Sequence, residues 1–255
     1  MPVMTSYPAG TPSWVDLGAP DAEAAAAFYG QLFGWDIQEG PPEAGGYRMC
    51  LLKGQPVAGL GPQMDPDKPT FWSTYISVDD ADKTAALVAE AGGQALVAPM
   101  DVMNFGRMAV FLDAEGAPIS IWQPLDMVGA GLVNEPGALC WNELGTRDPA
   151  TAKAFYEKVF GWKAEPEPMG ASPYELFQMG DRRVAGLLVF DEHTPADLRP
   201  HWSVVFAVED CDASAAKVSE LGGAVVVTPT DIPVGRFAVA TDVGGASFGI
   251  IKLAS

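Results

Sequence analysis

One stretch of this chain occurs twice. Ser13-Trp14-Val15-Asp16-Leu17-Gly18, followed by Asp21, Phe28-Tyr29 and Phe33-Gly34-Trp35, returns as Cys140-Trp141-Asn142-Glu143-Leu144-Gly145, followed by Asp148, Phe155-Tyr156 and Phe160-Gly161-Trp162. Between Trp14 and Trp35 the copies share 11 of 22 residues at a constant offset of 127. Any fold proposed for the first half must therefore serve the second, and a tandem duplication is the simplest origin.

Within each copy the local signals run from strand to helix. Trp14 to Leu17 is β-compatible and ends at the turn Gly18-Ala19-Pro20. Asp21 is placed to cap a helix whose apolar stripe is Ala25, Phe28, Tyr29 and Leu32, and Gly34 stops it. In the second copy Asp148 caps, Pro149 takes the first helical position, Ala152, Phe155, Tyr156 and Val159 form the stripe, and Gly161 ends it. Tyr47–Leu52 and Pro56–Leu60 then resemble a hairpin, repeated from Tyr174 to Val189. A second strand-helix-strands unit begins at Trp72, with its helix ending at Gly92-Gly93, and its repeat begins at Trp202, with Gly222-Gly223. Four β-α-β-β(-β) modules follow, paired into two α+β domains with curved mixed sheets. We expect an N-terminal arm over 1–10, domains over 11–125 and 138–255, and a linker over 126–137. Each helix covers one face of its sheet, so the other face lines a trough suited to a small molecule.

Composition narrows the partners. A net charge of −18 repels phosphate backbones and anionic membranes, and there is no Lys or Arg run to offset it. The three cysteines, Cys50, Cys140 and Cys211, lack CxxC spacing, the N-terminus lacks a signal core, and no apolar run approaches membrane-spanning length. The expectation is a cytoplasmic monomer or homodimer with a small-molecule ligand and neither nucleic-acid nor membrane partner. P-loop, Gly-x-Ser-x-Gly and Rossmann signatures are absent, and Cys50 reads as buried.

The strand, the helix with Phe-Tyr, the Phe-Gly-Trp close, the second helix ending in Gly-Gly and the Asp-x-x-Gly turn before the last strand resemble the vicinal oxygen chelate superfamily. That superfamily includes glyoxalase I, extradiol dioxygenases and bleomycin-resistance proteins. The resemblance covers roughly 11–125 and 138–253, and is nearest to two-domain actinobacterial glyoxalase-like proteins. It implies metal-ligand positions at Trp14, Ser73 and Ser120 and, in the second domain, at Trp141, Ser203 and Gly249; none is a His or a carboxylate. The chain has only two histidines, His193 and His201, and the one residual metal option is His201 with Glu143 or Glu175. No cofactor and no metal are expected.

Strand alternation says which side chains share the troughs with the ligand positions the resemblance implies. Asp16 follows Trp14 on one face and Glu143 follows Trp141. Tyr75 and Ser77 follow Ser73, and Trp122 follows Ser120. A carboxylate under tryptophan in an apolar cleft has its charged form disfavoured, as a general acid or base working near neutral pH requires. Asp16, Glu143 and Tyr75 are therefore the candidate catalytic groups. Arg107 and Arg236 are candidates to pair with the two acids for purely structural reasons. Trp14, Ser73, Ser77, Ser120, Trp122, Trp141 and Arg107 are candidate ligand contacts, with Met103 and Phe105 on the rim loop 99–106. Trp35, Trp162, Trp72 and Trp202 belong to the core.

The expected function is metal-independent binding of a small hydrophobic, aromatic metabolite. If the protein is an enzyme, its chemistry is non-redox acid-base chemistry: a dehydration, isomerisation or lyase step in natural-product metabolism. The alternatives are a non-catalytic sequestering protein of the antibiotic-resistance type and, third, a metal-dependent glyoxalase or dioxygenase.

Overall fold

The computed structural model describes residues 3–65, 67–168 and 174–254. The first half forms β1 (Pro12–Ala19), α1 (Ala22–Phe33), β2 (Asp36–Glu39), β3 (Arg48–Leu52) and β4 (Gln55–Pro62). A second module follows: β5 (Trp72–Ser77), α2 (Ala81–Glu90), β6 (Gln94–Val102), β7 (Gly106–Leu112) and β8 (Pro118–Pro124). The second half repeats both, as β9 (Leu139–Thr146), α3 (Pro149–Phe160), β10 (Lys163–Pro166), β11 (Tyr174–Met179) and β12 (Arg182–Val189), then β13 (His201–Ala207), α4 (Cys211–Glu220), β14 (Ala224–Ile232), β15 (Gly235–Thr241) and β16 (Ser247–Leu253). The βαβββ modules are therefore complete, and the strand left open in the sequence is β2 and β10.

The helix ends follow the expected chemistry. Asp21 accepts from the Ala24 amide and Asp148 from those of Ala150 and Thr151, while Gly34 and Gly161 close their helices in the left-handed region. On α1 the buried residue of the last turn is Phe33 rather than Leu32, because Phe33 reaches the second domain.

Each half is one eight-stranded sheet, ordered β2-β3-β4-β1-β5-β8-β7-β6 and β10-β11-β12-β9-β13-β16-β15-β14. The two modules meet where β1 runs antiparallel to β5, with Asp16 opposite Ser73 and Trp14 opposite Tyr75. Parallel pairing of β5 with β8 sets Tyr75 beside Ser120. Residues from three central strands thereby converge on one concave face.

The helical faces interlock across domains. Phe28, Tyr29, Phe33, Trp35 and Trp72 of the first domain share one core with Phe206 and Phe248 of the second. Ile76, Val88 and Phe111 share another with Phe155, Tyr156, Trp162 and Trp202. Tyr29 donates to Asp242 across the interface (3.0 Å) and accepts from the Trp72 indole (3.0 Å); Tyr156 donates to Asp113 (2.9 Å) and accepts from Trp202 (2.8 Å). Trp35, Trp162, Trp72 and Trp202 thus lie in the cores, as predicted.

Residues 3–10 form an arm that packs against the linker. The Met4 amide and the Tyr7 hydroxyl donate to the carbonyls of Gly131 and Ala130 in the linker, and the Gly10 carbonyl receives the Trp162 indole at 2.7 Å. The linker does the same for the other half, where Gly137 receives the Trp35 indole at 2.7 Å.

Candidate functional site

On the concave face of the first sheet lies a cavity of about 540 Å³. Its floor is Trp14, Tyr75 and Trp122, exposed by 3%, 6% and 6%, with Asp16 and Tyr47 between them. One wall is the segment from Gly40 to Tyr47, which carries a short 3-10 turn at Pro42–Ala44. The opposite wall is the β6–β7 hairpin with Met100, Met103, Phe105 and Met108. The sequence places residues 99–106 in a loop, but β6 continues to Val102 and only three residues turn before β7, with Met103 at φ 48°. Five of the chain's ten methionines, Met49, Met100, Met103, Met108 and Met127, line this space. Their unbranched, polarisable side chains can mould to a ligand.

The polar centre is Asp16. Its Oδ2 accepts from the Tyr75 hydroxyl at 2.9 Å and the Tyr47 hydroxyl at 3.3 Å, and Ser73 bonds the same carboxylate. The Trp14 indole donates to Tyr47 at 3.0 Å, and Ser120 bonds Tyr75. Burial pushes the Asp16 pKa up to about 6, with the Tyr75, Ser73 and Tyr47 hydrogen bonds opposing that rise. Tyr47 and Tyr75 are held above the ordinary phenol value, first by burial and then by the Asp16 charge. The site thus offers one proton acceptor of near-neutral affinity flanked by two phenol donors.

Tyr47 is the functional residue the sequence reading missed. It recurs at the same offset as Tyr174, and both lie over a glycine. A β-carbon at Gly59 would overlap the Tyr47 hydroxyl, and one at Gly186 the Tyr174 hydroxyl. The coincidence of two tyrosines and two glycines at offset 127 was the available signal.

The remaining predicted residues divide. Ser73 and Ser120 act through Asp16 and Tyr75. Ser77 is buried against the arm, its carbonyl bound by the Gly10 amide, and does not line the cavity. Arg107 does not line the cavity and does not pair with Asp16: its guanidinium holds Asp101 at 2.7 Å and Asp82 at 2.9 Å. Arg236 likewise holds Asp212 and Asp231 at the surface. Both arginines brace the end of a hairpin against the helix preceding it.

Glu143 and Trp141 stand apart from Asp16. The Trp141 indole donates to Tyr174 at 3.0 Å, and Tyr174 bonds Glu143, whose pKa burial also raises. The counterpart of Tyr75 in this domain is Val205, which pairs with Trp141, so the second carboxyl has lost one phenol. Trp141 instead borders a second, more open space of about 350 Å³ between the arm, the linker and β12, and Glu143 lines neither space.

In the first domain the positions where the resemblance puts metal ligands hold an indole and two hydroxyls committed to Asp16 and its neighbours, and in the second they hold an indole, a hydroxyl and a glycine. A divalent site built on imidazole and carboxylate does not fit that donor set. Among the described residues no three His, Cys, Asp or Glu side chains come together as a ligand group. His201 contacts the Arg199 carbonyl and lies beside Phe190, and Glu175 is paired with Lys153, so the residual His201 option does not assemble. Cys50 is buried, and burial pushes its thiol up to about 12.

Sheet topology and repeat define a tandem glyoxalase-like protein. The chain belongs to the glyoxalase/bleomycin resistance protein/dioxygenase superfamily, whose model matches residues 11–121 and 139–250. It is 43% identical to the "Putative glyoxylase CFP32" of Mycobacterium tuberculosis over 99% of this chain and 98% of that protein. It is 38% identical to the "Anthracycline biosynthesis protein DnrV" of Streptomyces peucetius, over 98% and 96%. Among solved structures, a Mn(II)-bound glyoxalase from Novosphingobium aromaticivorans superposes with a TM-score of 0.65 at 17% identity, over 97% of this chain and 85% of that one. The 2,3-dioxygenase LapB from Pseudomonas sp. KL28 gives 0.65 at 15%, over 96% and 92%. These likenesses concern fold. No helix among the described residues is long and apolar enough to cross a membrane.

Proposed function

We propose that this chain is a metal-independent member of its superfamily that binds a flat, hydrophobic aromatic metabolite in the first-domain cavity and moves a proton on it through Asp16. The observation that carries this reading is the Asp16 carboxyl itself, at the floor of an apolar cavity, bridged by two phenols and poised near pH 6. In its ionised form Asp16 takes a proton from the ligand. Tyr75 and Tyr47 support the carboxylate before that step and can turn their hydroxyls toward an enolic oxygen after it. Returning the proton to another carbon isomerises the ligand; losing hydroxide from the adjacent carbon, protonated as it leaves, completes a dehydration. Trp14 and Trp122 supply stacking surfaces, and the relative named for anthracycline biosynthesis supports a polycyclic ligand. The methionine-rich wall favours one second reading, a sequestering protein that binds such compounds without turnover.

The test is a thermal-shift screen with anthraquinones and anthracycline aglycones, followed by mass spectrometry of each stabilising compound after incubation in D₂O. We expect deuterium incorporation or loss of water with the native chain, and binding without either in Asp16→Asn. Turnover unchanged in Asp16→Asn would remove Asp16 from the reaction. Binding without turnover by the native chain would leave the sequestering reading.

A further inference from the structure

We propose that the first-domain cavity is selective for aromatic ligands that carry a positive charge, such as a protonated amine, and discriminates against carboxylates. The inference rests on reading this cavity as an aromatic-metabolite site and goes on to name the ligand's charge class.

Among the seventeen lining residues there are three carboxylates, Asp16, Glu43 and Asp101, and no Lys, Arg or His. They are spread around the space: Asp16 at the floor on β1, Glu43 in the 3-10 turn of one wall, Asp101 near the tip of the opposite hairpin. The nearest cations by sequence are turned to other work. Arg48, beside Tyr47, is paired with Glu23 and Glu39, and Arg107 with Asp82 and Asp101. Arg107 offsets the Asp101 charge, whereas Glu43 is exposed and has no ion pair among the described residues.

An anionic ligand would therefore meet repulsion from at least two carboxylates without a guanidinium or ammonium to receive it. The donors at the floor are already engaged, the Tyr47 and Tyr75 hydroxyls with Asp16 and the Trp14 and Trp122 indoles with Tyr47 and the Met127 carbonyl. A cationic ligand gains at both ends. Its ring system lies against Trp14 and Trp122, whose faces attract positive charge, and its ammonium faces Glu43 or Asp16 across a cleft with low-dielectric walls that screen poorly. The chain's net charge of −18 further steers cations toward the opening.

Three fluorophores that share an anthracene ring and carry a short cationic, neutral or anionic substituent test this. The full-length chain would be titrated at pH 7.5 and low salt with 9-(methylaminomethyl)anthracene, 9-anthracenemethanol and 9-anthraceneacetic acid, following anthracene emission and tryptophan quenching. The expected order is cation, neutral, anion, with at least a tenfold difference in Kd between the first and last. Because an acidic surface can attract cations anywhere, Met108→Trp, which fills the cavity, should abolish binding of all three. Met127→Trp serves the same purpose if the first variant loses its native circular dichroism. Equal affinities would overturn charge selection and leave the aromatic site standing. Tightest binding by the acid, or cation binding that survives filling of the cavity, would overturn it too. No binding by any of the three would overturn the aromatic-site reading and the charge selection together.

Discussion

Asp16 is steadied by hydroxyls rather than by a cation, and that choice sets both its titration and its cost. Its folded pKa, about 6, lies above the ordinary unfolded value near 4. Between those values the folded state binds more protons than the unfolded state, so this residue's contribution to stability falls as pH rises through that window and stays low above it. Asp16→Asn removes the charge. We expect the variant to be more stable than the native chain at pH 7.5, by about 1 kcal/mol, since a shift of two units sets a ceiling of roughly 3 kcal/mol and the phenols must turn to meet the amide. The advantage should vanish near pH 4, which paired melts across that range would show. Tyr75→Phe removes the strongest of the hydrogen bonds favouring the carboxylate, so the Asp16 titration, followed by carboxyl carbon NMR, should move upward; an unchanged midpoint would mean that Tyr75 does not stabilise the ionised form. Strand alternation, counted from the positions where the resemblance puts metal ligands, joined Asp16, Tyr75, Trp14 and Trp122, because the side-chain period of a strand is unambiguous once a face is known. It could not reach Tyr47, which precedes β3 and crosses over Gly59 of β4 to Asp16, nor foresee that Arg107 finds Asp82 and Asp101, because ion pairs at hairpin ends depend on register and twist.

Several elements meet only because particular glycines leave room. Gly92 and Gly222 end α2 and α4 in the left-handed region, at φ 87° and 90°, which is the role their sequence position suggests. Their neighbours do something else. A β-carbon at Gly93 would lie 2.9 Å from the Phe155 ring, and one at Gly223 would lie 3.0 Å from Phe28. In each case the phenylalanine belongs to the other domain's Phe-Tyr helix. Gly93→Ala should therefore cost about 2–3 kcal/mol, as overpacking does, because the backbone carbonyl of Leu112 lies 2.8 Å from the same point and cannot yield. Chemical denaturation would measure it. A cost below about 1 kcal/mol would show that Phe155 moves freely and that the helix is not seated against this turn. The short strands β2 and β10 escaped the periodicity reading for a related reason. Asp36-Ile-Gln-Glu and Lys163-Ala-Glu-Pro are edge segments with a single apolar residue each. Pairing to β3 and β11, not burial, is what makes them strands.

At the scale of the whole chain, the duplication was legible but the way its copies embrace was not. An apolar stripe on α1 says that a sheet must cover it; it does not say that the second domain supplies part of the cover. The two cores each draw on both halves, and each is bolted by a tyrosine from one domain to an aspartate turn of the other. Asp242 illustrates the consequence. Its Oδ1 closes its own turn through the amides of Gly244 and Ala246, while Oδ2 receives Tyr29. In Asp242→Asn the turn can keep its acceptor, but the side-chain amide confronts a hydroxyl that already accepts from Trp72. The buried mismatch should cost about 1–3 kcal/mol. Because the residue it strands lies in the first domain, the loss should appear as a lower midpoint of one shared transition rather than as early melting of the second domain. Calorimetry of the native chain should likewise give a single peak whose van't Hoff and calorimetric enthalpies agree. Two peaks, with only the later half of the sequence destabilised in Asp242→Asn by hydrogen exchange, would mean that the domains fold independently and merely touch. A single peak that shifts as a whole means that the cavity around Asp16 is held in shape by a core to which the other domain contributes, so the second copy is retained as structural support even though its own carboxyl, Glu143, lines neither cavity.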